Sequence, residues 1–275
     1  MNRLPLARRV QVIHSLVEGV SIRSTVRLTG VAKGTILRLL AEVAKACAEY
    51  QDRVMRNLPC RLLQADEIWS FCGMKQKNVP AERTDEHGIG DVWTWVCMDA
   101  ETKLVPCWLV GGRDAEFASA FMTDVAGRLA NRVQLTTDGH KPYLTAVENA
   151  FGGSIDYAML VKMYGKAGEK PNTRYSPAEC IGCKKTPISG EPEKQFVSTS
   201  FIERQNLTIR MRMRRFTRLT NAFSKKIENH EHAIALHYMV YNFARIHQTL
   251  RSTPAMKAGV TDHLWSIEEI VKLSD

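Results

Sequence analysis

The apolar residues of this chain change period near residue 61, and that switch restricts the fold more than any other feature. Before it, they recur every three or four positions. Val10, Ile13, Leu16 and Val17 share one helical side and stop at Gly19. Ser21 is placed to cap a second short helix that ends at Gly30. A third helix from Lys33 brings Ile36, Leu39, Leu40, Val43 and Ala46 to one side. After it, residues 51–60, ending in Pro59 and Cys60, read as a linker. From residue 61 the apolar positions alternate. RLLQADEIWSF (61–71), DVWTWVCMDA (91–100) and LVPCWLVGG (104–112) read as consecutive antiparallel strands joined by short turns.

The order of the next elements narrows the class further. Residues 114–131 form an amphipathic pattern with Phe117, Phe121, Val125 and Leu129 inward, followed by a fourth strand at 133–139. A helix over 141–152 and a fifth strand over 154–164 complete the series. Three antiparallel strands and then helix, strand, helix, strand is the element order of an RNase H-like α/β fold, here expected as a mixed five-stranded sheet. Residues 165–197, rich in Gly, Pro, Lys and Glu and without a period, read as an inserted loop. Residues 198–250 read as helical almost throughout, with Ile227, Ile234, Tyr238 and Tyr241 as the later apolar stripe. The expected division is a helix-turn-helix domain at 1–58, a catalytic domain at 59–260 and a tail at 261–275.

Charge adds a second constraint. The chain of 275 residues has 38 Lys and Arg against 29 Asp and Glu, a formal net charge of +9. Residues 1–61 carry 11 Lys/Arg and 4 Asp/Glu, while residues 201–226 carry 8 Lys/Arg and Glu203 as the one acid. Each block is therefore +7, and the remainder is mildly acidic. Two separated basic blocks suit two surfaces that meet phosphates, against the plainer reading of two solvated helix faces. In the first block, a short helix, a glycine turn and a longer basic helix make up the helix-turn-helix pattern. That pattern places Lys33, Thr35 and Arg38 nearest the bases of a major groove.

No run approaches the ~18 apolar residues of a membrane span, and the first ten residues lack the features of a secretion signal. Seven scattered Cys read as reduced thiols. The expected setting is the cytoplasm, associated with the bacterial nucleoid.

Three acids sit where metal chemistry needs them. Asp66 lies within the first strand, Asp138 ends the fourth beside Gly139, and Glu203 stands in an otherwise cationic helix. Carboxylates converging from two strands and a helix can hold two Mg²⁺ or Mn²⁺ ions, with oxygen-only ligands favouring these over zinc. Arg210 follows Glu203 by two helical turns and shares its face, where it could hold a phosphate. Spacing alone leaves Glu67, Asp91 and Asp99 as competing acids, with surface carboxylates as the plain alternative.

The stretches DEIWSF (66–71), TDGHKPY (137–143) and TSFIERQNLTIRMRMRRFTRLTNAFSKKIENH (199–230) resemble the signatures of the bacterial insertion-sequence-one type of transposase, within the D-D-E transposase and integrase superfamily. YNFARIHQTLRSTPAM (241–256) resembles the C-terminal end of integrase catalytic cores. The resemblance runs in order from about residue 60 to 260. It implies that Asp66, Asp138 and Glu203 form the metal-binding triad and that Arg210 is the basic residue following it. It also implies an enzyme that binds the terminal inverted repeats of a mobile element, cleaves DNA with divalent metal and joins the 3′-hydroxyl ends to target DNA. Handling two ends together implies a homodimer or higher assembly. Arg212, Arg214, Arg215 and Arg218 extend the DNA-contacting set. The insertion at 165–197 is longer than in the shortest members.

Other features carry less. Cys180 and Cys183 are spaced like half a zinc site, but no second pair exists, and His230 or His232 would have to complete it from a distance. Trp69, Trp93, Trp95 and Trp108 fall in strands and suit core packing. His140 either touches substrate or is an ordinary loop histidine, and His247 and Arg251 are structural or near DNA. No nucleotide-hydrolysis fingerprint appears. Two rival readings stay open: a nuclease without strand transfer, and an inactive DNA-binding regulator.

Overall fold

In the computed structural model, the described residues are all except 1–2, 85, 87, 165–179 and 218–220. Three helices open the chain: α1 (Leu6–Val17), α2 (Ile22–Thr29) and α3 (Lys33–Val54). Ser21 caps α2 by accepting the Ser24 N–H, and Gly30 ends it in the left-handed conformation that a side chain resists. The tight turn between α1 and α2 uses Gly19, at φ 79°. A Cβ there would come within 2.7 Å of the Arg212 carbonyl oxygen, so the turn docks directly on a later helix. The expected linker at 51–60 begins later, because α3 continues to Val54. Its last turns are held by tertiary packing, with Gln51 buried and donating to the Ala235 carbonyl at 3.3 Å.

A mixed sheet follows: β1 (Leu62–Cys72), β2 (Gly90–Asp99), β3 (Cys107–Gly111), β4 (Val133–Thr137), β5 (Ile155–Tyr164) and β6 (Cys180–Ser189), in the order β3-β2-β1-β4-β5-β6. β1, β2 and β3 are antiparallel, β4 and β5 continue parallel to β1, and β6 returns antiparallel to β5. Among the described residues the sheet therefore has six strands rather than the expected five, and residues 180–189 of the supposed loop are its edge. The strand escaped the alternation test because both its faces are largely exposed, so nothing selects apolar residues at every second position. The remainder of that supposed insertion at 165–179 lies outside the described residues.

Helices cover both faces of the sheet. α4 (Ala115–Ala126) and α5 (Pro142–Phe151) lie on one, where Phe121, Val125, Tyr143 and Val147 pack with Ala65, Trp95, Leu135 and Tyr157. On the other, α6 (Ser200–Arg212) and α7 (Ile227–Met239) bring Ile202, Ile209, Ile234 and Tyr238 against Ile68, Val96 and Met98. The stretch over 198–250, expected to be helical almost throughout, is interrupted between α6 and α7. There the chain turns so that Phe216 is buried against the His230 ring, while the Arg215 guanidinium donates to Ser224 Oγ and the Asn229 carbonyl. Of the four tryptophans expected in the core, Trp95 is fully buried and the other three are half-buried.

The N-terminal helices share the largest apolar cluster with the rest of the chain: α3 lies along α7, and α1 along the C-terminal helix α8 (Ile267–Lys272). A single π-helical turn, Val240–Ala244, follows α7 and points Asn242 inward. The Asn242 amide accepts from the Val105 N–H and donates to the Val105 carbonyl, closing the loop before β3 onto that turn. Among the described residues, no helix is long and apolar enough to cross a membrane.

Two stability measurements check this packing. Asn242→Ala strands the Val105 backbone pair away from water and lowers unfolding free energy by about 2–4 kcal/mol in urea titration; a loss under 0.5 kcal/mol would contradict the tie. His230 is buried neutral between Ser70 Oγ and Ser224 Oγ, and burial pushes its pKa down to about 3. Its unfolded form takes up a proton near pH 6.5 that the folded form refuses. Wild type should therefore lose stability relative to His230→Asn by about 1.4 kcal/mol per pH unit as pH falls from 6.5 towards 3.

Candidate metal centre and the basic surfaces around it

β1 and β4 pair in parallel with Ala65 opposite Thr137, so the residue after β4, Asp138, comes level with Asp66. β4 stops there while β1 runs on, which opens a notch in the sheet at the carboxyl end of β4. Asp66 and Glu67, as neighbours on a strand, serve opposite faces. Asp66 meets α6, accepting the Asn206 amide at 2.8 Å, and its other oxygen accepts the Glu67 N–H at 2.8 Å. Glu67 meets α5 and the turn before α4, where it accepts the Tyr143 hydroxyl at 3.1 Å and Arg113 Nε at 2.7 Å. Asp138 accepts the His140 N–H at 2.9 Å. At the notch, oxygens of Asp66, Glu67 and Asp138 all lie within 4.8 Å of one another.

The electrostatics follow from that crowding. Burial pushes the Asp66 carboxyl up to about 7, and the negative charges of Glu67, Asp138 and Glu203 add to the rise. Glu67 is raised too, first by burial and then by Asp138, with the Arg113 hydrogen bond opposing. Burial drives the Tyr143 hydroxyl upward, so it remains a donor to Glu67. His140 packs on the rings of Trp95 and Tyr143, and burial followed by the Arg113 charge holds its pKa down. Its Nε2 is buried without a hydrogen-bond partner among the described residues.

Glu203 lies in the first turn of α6 but outside the three-carboxylate cluster. One oxygen accepts the Thr199 hydroxyl at 2.6 Å and the other pairs with Lys162 Nζ at 2.5 Å. Asp66 and Asp138 are thus brought together, with Glu203 near enough for its charge to act on Asp66. Glu67 is the member that alternation hides: strand period assigns it to the wrong face, and only the end of β4 brings it round. The one signal available was the DE doublet itself. Asp91 and Asp99, the other competing acids, are spent elsewhere; Asp91 accepts the Gln76 N–H and Asp99 accepts from Glu101 and Thr102.

Arg210 is half-buried on α6, two turns beyond Glu203. Lys33 and Arg38 are exposed on the first turns of α3 and Thr35 is half-buried there. Arg212 pairs with Glu18 at 3.5 Å, and Arg214 is exposed. Arg215 is committed to Ser224 and Asn229 as described above, which leaves it a structural part in the turn after α6. Arg218 lies outside the described residues. Cys180 and Cys183 are exposed on β6, and among the described residues no metal-ready group includes them. His230 has both ring nitrogens engaged by serines and is not free to complete such a site. His247 and Arg251 lie in the turn after the π-helical segment, where the Arg251 N–H donates to the His247 carbonyl.

Among curated proteins, none matches the chain. One solved structure, a cryo-EM structure of piggyBac transposase synaptic complex with hairpin DNA, superposes with a TM-score of 0.48 at 11% identity, covering 98% of this chain and 69% of that one. Residues 191–244 match the family described as IS1 transposase. That stretch holds α6, α7 and the π-helical turn, and the match bears out, over its length, the resemblance read from the block around Glu203.

Proposed function

We propose that the protein is a DNA transposase of the D-D-E type with an RNase H-like catalytic domain. The observation that carries this reading is the convergence of three carboxylates within 4.8 Å, beside the family-matched helix that bears Glu203. The strand order, with an antiparallel β1–β3 meander continued in parallel by β4 and β5, supports the fold assignment. We take residues 1–58 as a helix-turn-helix unit that docks element ends through Lys33, Thr35 and Arg38, residues 59–260 as the catalytic unit, and 261–275 as the tail that braces α1.

The donor set suits a hard divalent cation. It is all oxygen, burial and then the neighbouring carboxylates raise the Asp66 pKa, and a cation of charge +2 offsets both. Asp66, Asp138 and Glu203 would hold it, with Glu67 beside them. A bound pair of Mg²⁺ or Mn²⁺ ions supplies charge to activate the attacking oxygen and to stabilise the leaving one. The chain's own groups fix the ligands: Asn206 orients Asp66, the His140 N–H orients Asp138, and Thr199 with Lys162 holds Glu203. Arg210 is placed to meet a phosphate on the same face. In the reaction, water first cleaves a phosphodiester at each element end. The freed 3′-hydroxyl then attacks a target phosphodiester, forming one P–O bond as another breaks, so no ATP is consumed. Two ends require at least a dimer.

Three experiments test this. Millimolar Mg²⁺ should raise the melting temperature of the wild type by several degrees and leave Asp138→Asn unchanged in calorimetry. In the same conditions Glu203→Gln should bind end DNA yet lose metal-dependent cleavage; retained cleavage would sink the assignment, and cleavage without strand transfer would favour the nuclease. Glu67→Gln should retain activity but need roughly tenfold more Mg²⁺, as expected when a neighbour that tunes the ligands is altered. An unchanged Mg²⁺ titration of rate would remove Glu67 from the site.

A further inference from the structure

A second site lies on the far side of α6. Asn206 turns towards the carboxylates, while Phe201, Arg204, Thr208 and Met211, spaced along another face of the same helix, line a cavity of about 960 Å³. Its opposite wall comes from the N-terminal helices: the α1–α2 turn at Gly19, the first turn of α2 at Arg23, and Lys33 and Leu37 of α3. α7 and the π-helical turn close it with Leu236, His237 and Tyr241.

The chemistry of this lining is one-sided. Nine of its side chains are Lys or Arg, and among the described residues none is Asp or Glu. In a chain with 38 basic and 29 acidic residues, a surface of mixed charge would not exclude carboxylates over so long a lining. Arg212 and Arg245 pair with Glu18, which is not part of the lining, and Arg204, Arg214 and Lys225 form no ion pair among the described residues. Such a concentration of like charge calls for a polyanion. Bare phosphate would leave much of the wall unused, because aromatic and aliphatic groups alternate with the cations. Phe201 is 42% exposed with Lys103 Nζ over its ring, and Phe223 and Met211 also face the space. The ring Nε2 of His237 is buried without a hydrogen-bond partner among the described residues and offers a polar contact at the inner wall. Cavities of ~300–1,000 Å³ hold one small organic ligand, so the space fits a few unstacked nucleotides and excludes a duplex.

We propose that this cleft binds single-stranded DNA, with Arg204, Arg212 and Arg245 along the backbone and Phe201 stacking on an unpaired base. The inference rests on the DNA-transposase reading and adds to it a site for unpaired strand, separated from the carboxylates by the thickness of α6. DNA opened or frayed near the cleavage point would have one strand led between the docking helices and the catalytic unit.

The full-length protein, held in EDTA to prevent cleavage, should be titrated by fluorescence anisotropy against two labelled probes. One is a blunt 30-bp duplex (about three helical turns) and the other is the same duplex with a 3′ tail of about six thymidines. The tail should tighten binding about tenfold. Phe201→Ala and Arg204→Gln should each remove most of that gain, while Arg38→Gln weakens both probes equally. Arg204 is exposed, so its substitution leaves the fold intact, and thermal melting checks the Phe201 variant. Equal binding of the two probes, or a gain that survives both substitutions, overturns the cleft assignment alone. A wild type that binds neither probe overturns the DNA reading with it.

Discussion

The parallel pairing of β1 with β4 is the contact on which the rest depends. It sets Ala65 against Thr137, and everything at the carboxylate site follows from that one step of register. Shifted by one residue, Asp138 would lie beside Glu67 or Ala65, and its side chain would turn to the other face. The pairing is secured from both sides of the sheet. Leu63, Ala65, Leu135 and Tyr143 form part of one apolar cluster and Ile68 part of another, so a slip would bury polar residues on both faces at once. The crowded carboxylates lie where that packing ends, at the place past β4 where the sheet opens beside β1. The repulsion is local, and the surrounding packing resists it.

Much of this was legible from the chain itself, and the boundary of legibility has a physical cause. β1 to β5 were readable because each is half-buried or buried and carries an apolar signature. β6 was not, because an exposed edge strand has no face on which selection for apolar residues can act. The break after α6 was equally hidden. No Gly or Pro marks it, and its cause is the tertiary burial of Phe216 and Arg215. At the site, strand position offered Asp66 and Asp138 and isolation among cations offered Glu203, but only the family resemblance set them above the competing acids. Glu67 could not be ranked above its rivals, since the end of the neighbouring strand, rather than its own residue type, brings it into the cluster. The cleft was still less visible. Its lining comes from segments more than two hundred residues apart in sequence, from Leu16 to Thr249, and no local pattern records their meeting.

α6 connects the two sites, and its charge is the part of the sequence that folding alone does not explain. Arg210 and Arg212 in its last turn gain from the negative end of the helix dipole. Arg204 and, beyond the helix, Arg214 and Lys225 have no such compensation, and they face a cleft that already holds Lys33 and Arg23. Like charges brought together in a partly enclosed space, away from bulk water, cost stability unless a counter-charge enters. The apolar core of α6 would be equally satisfied with neutral residues at these positions, because Ile202 and Ile209 do the burying. The cations therefore trade stability of the empty fold for attraction to something absent from the chain. Glu203, paired with Lys162 at the other end of the same helix, is the one acid in the segment. One rigid element thus presents Asn206 to the carboxylates of the notch, with Glu203 one turn away, and a cationic, partly aromatic face to the cleft. Strand captured on that face has no need to bend the protein to reach the notch, since both walls belong to the same thirteen-residue helix.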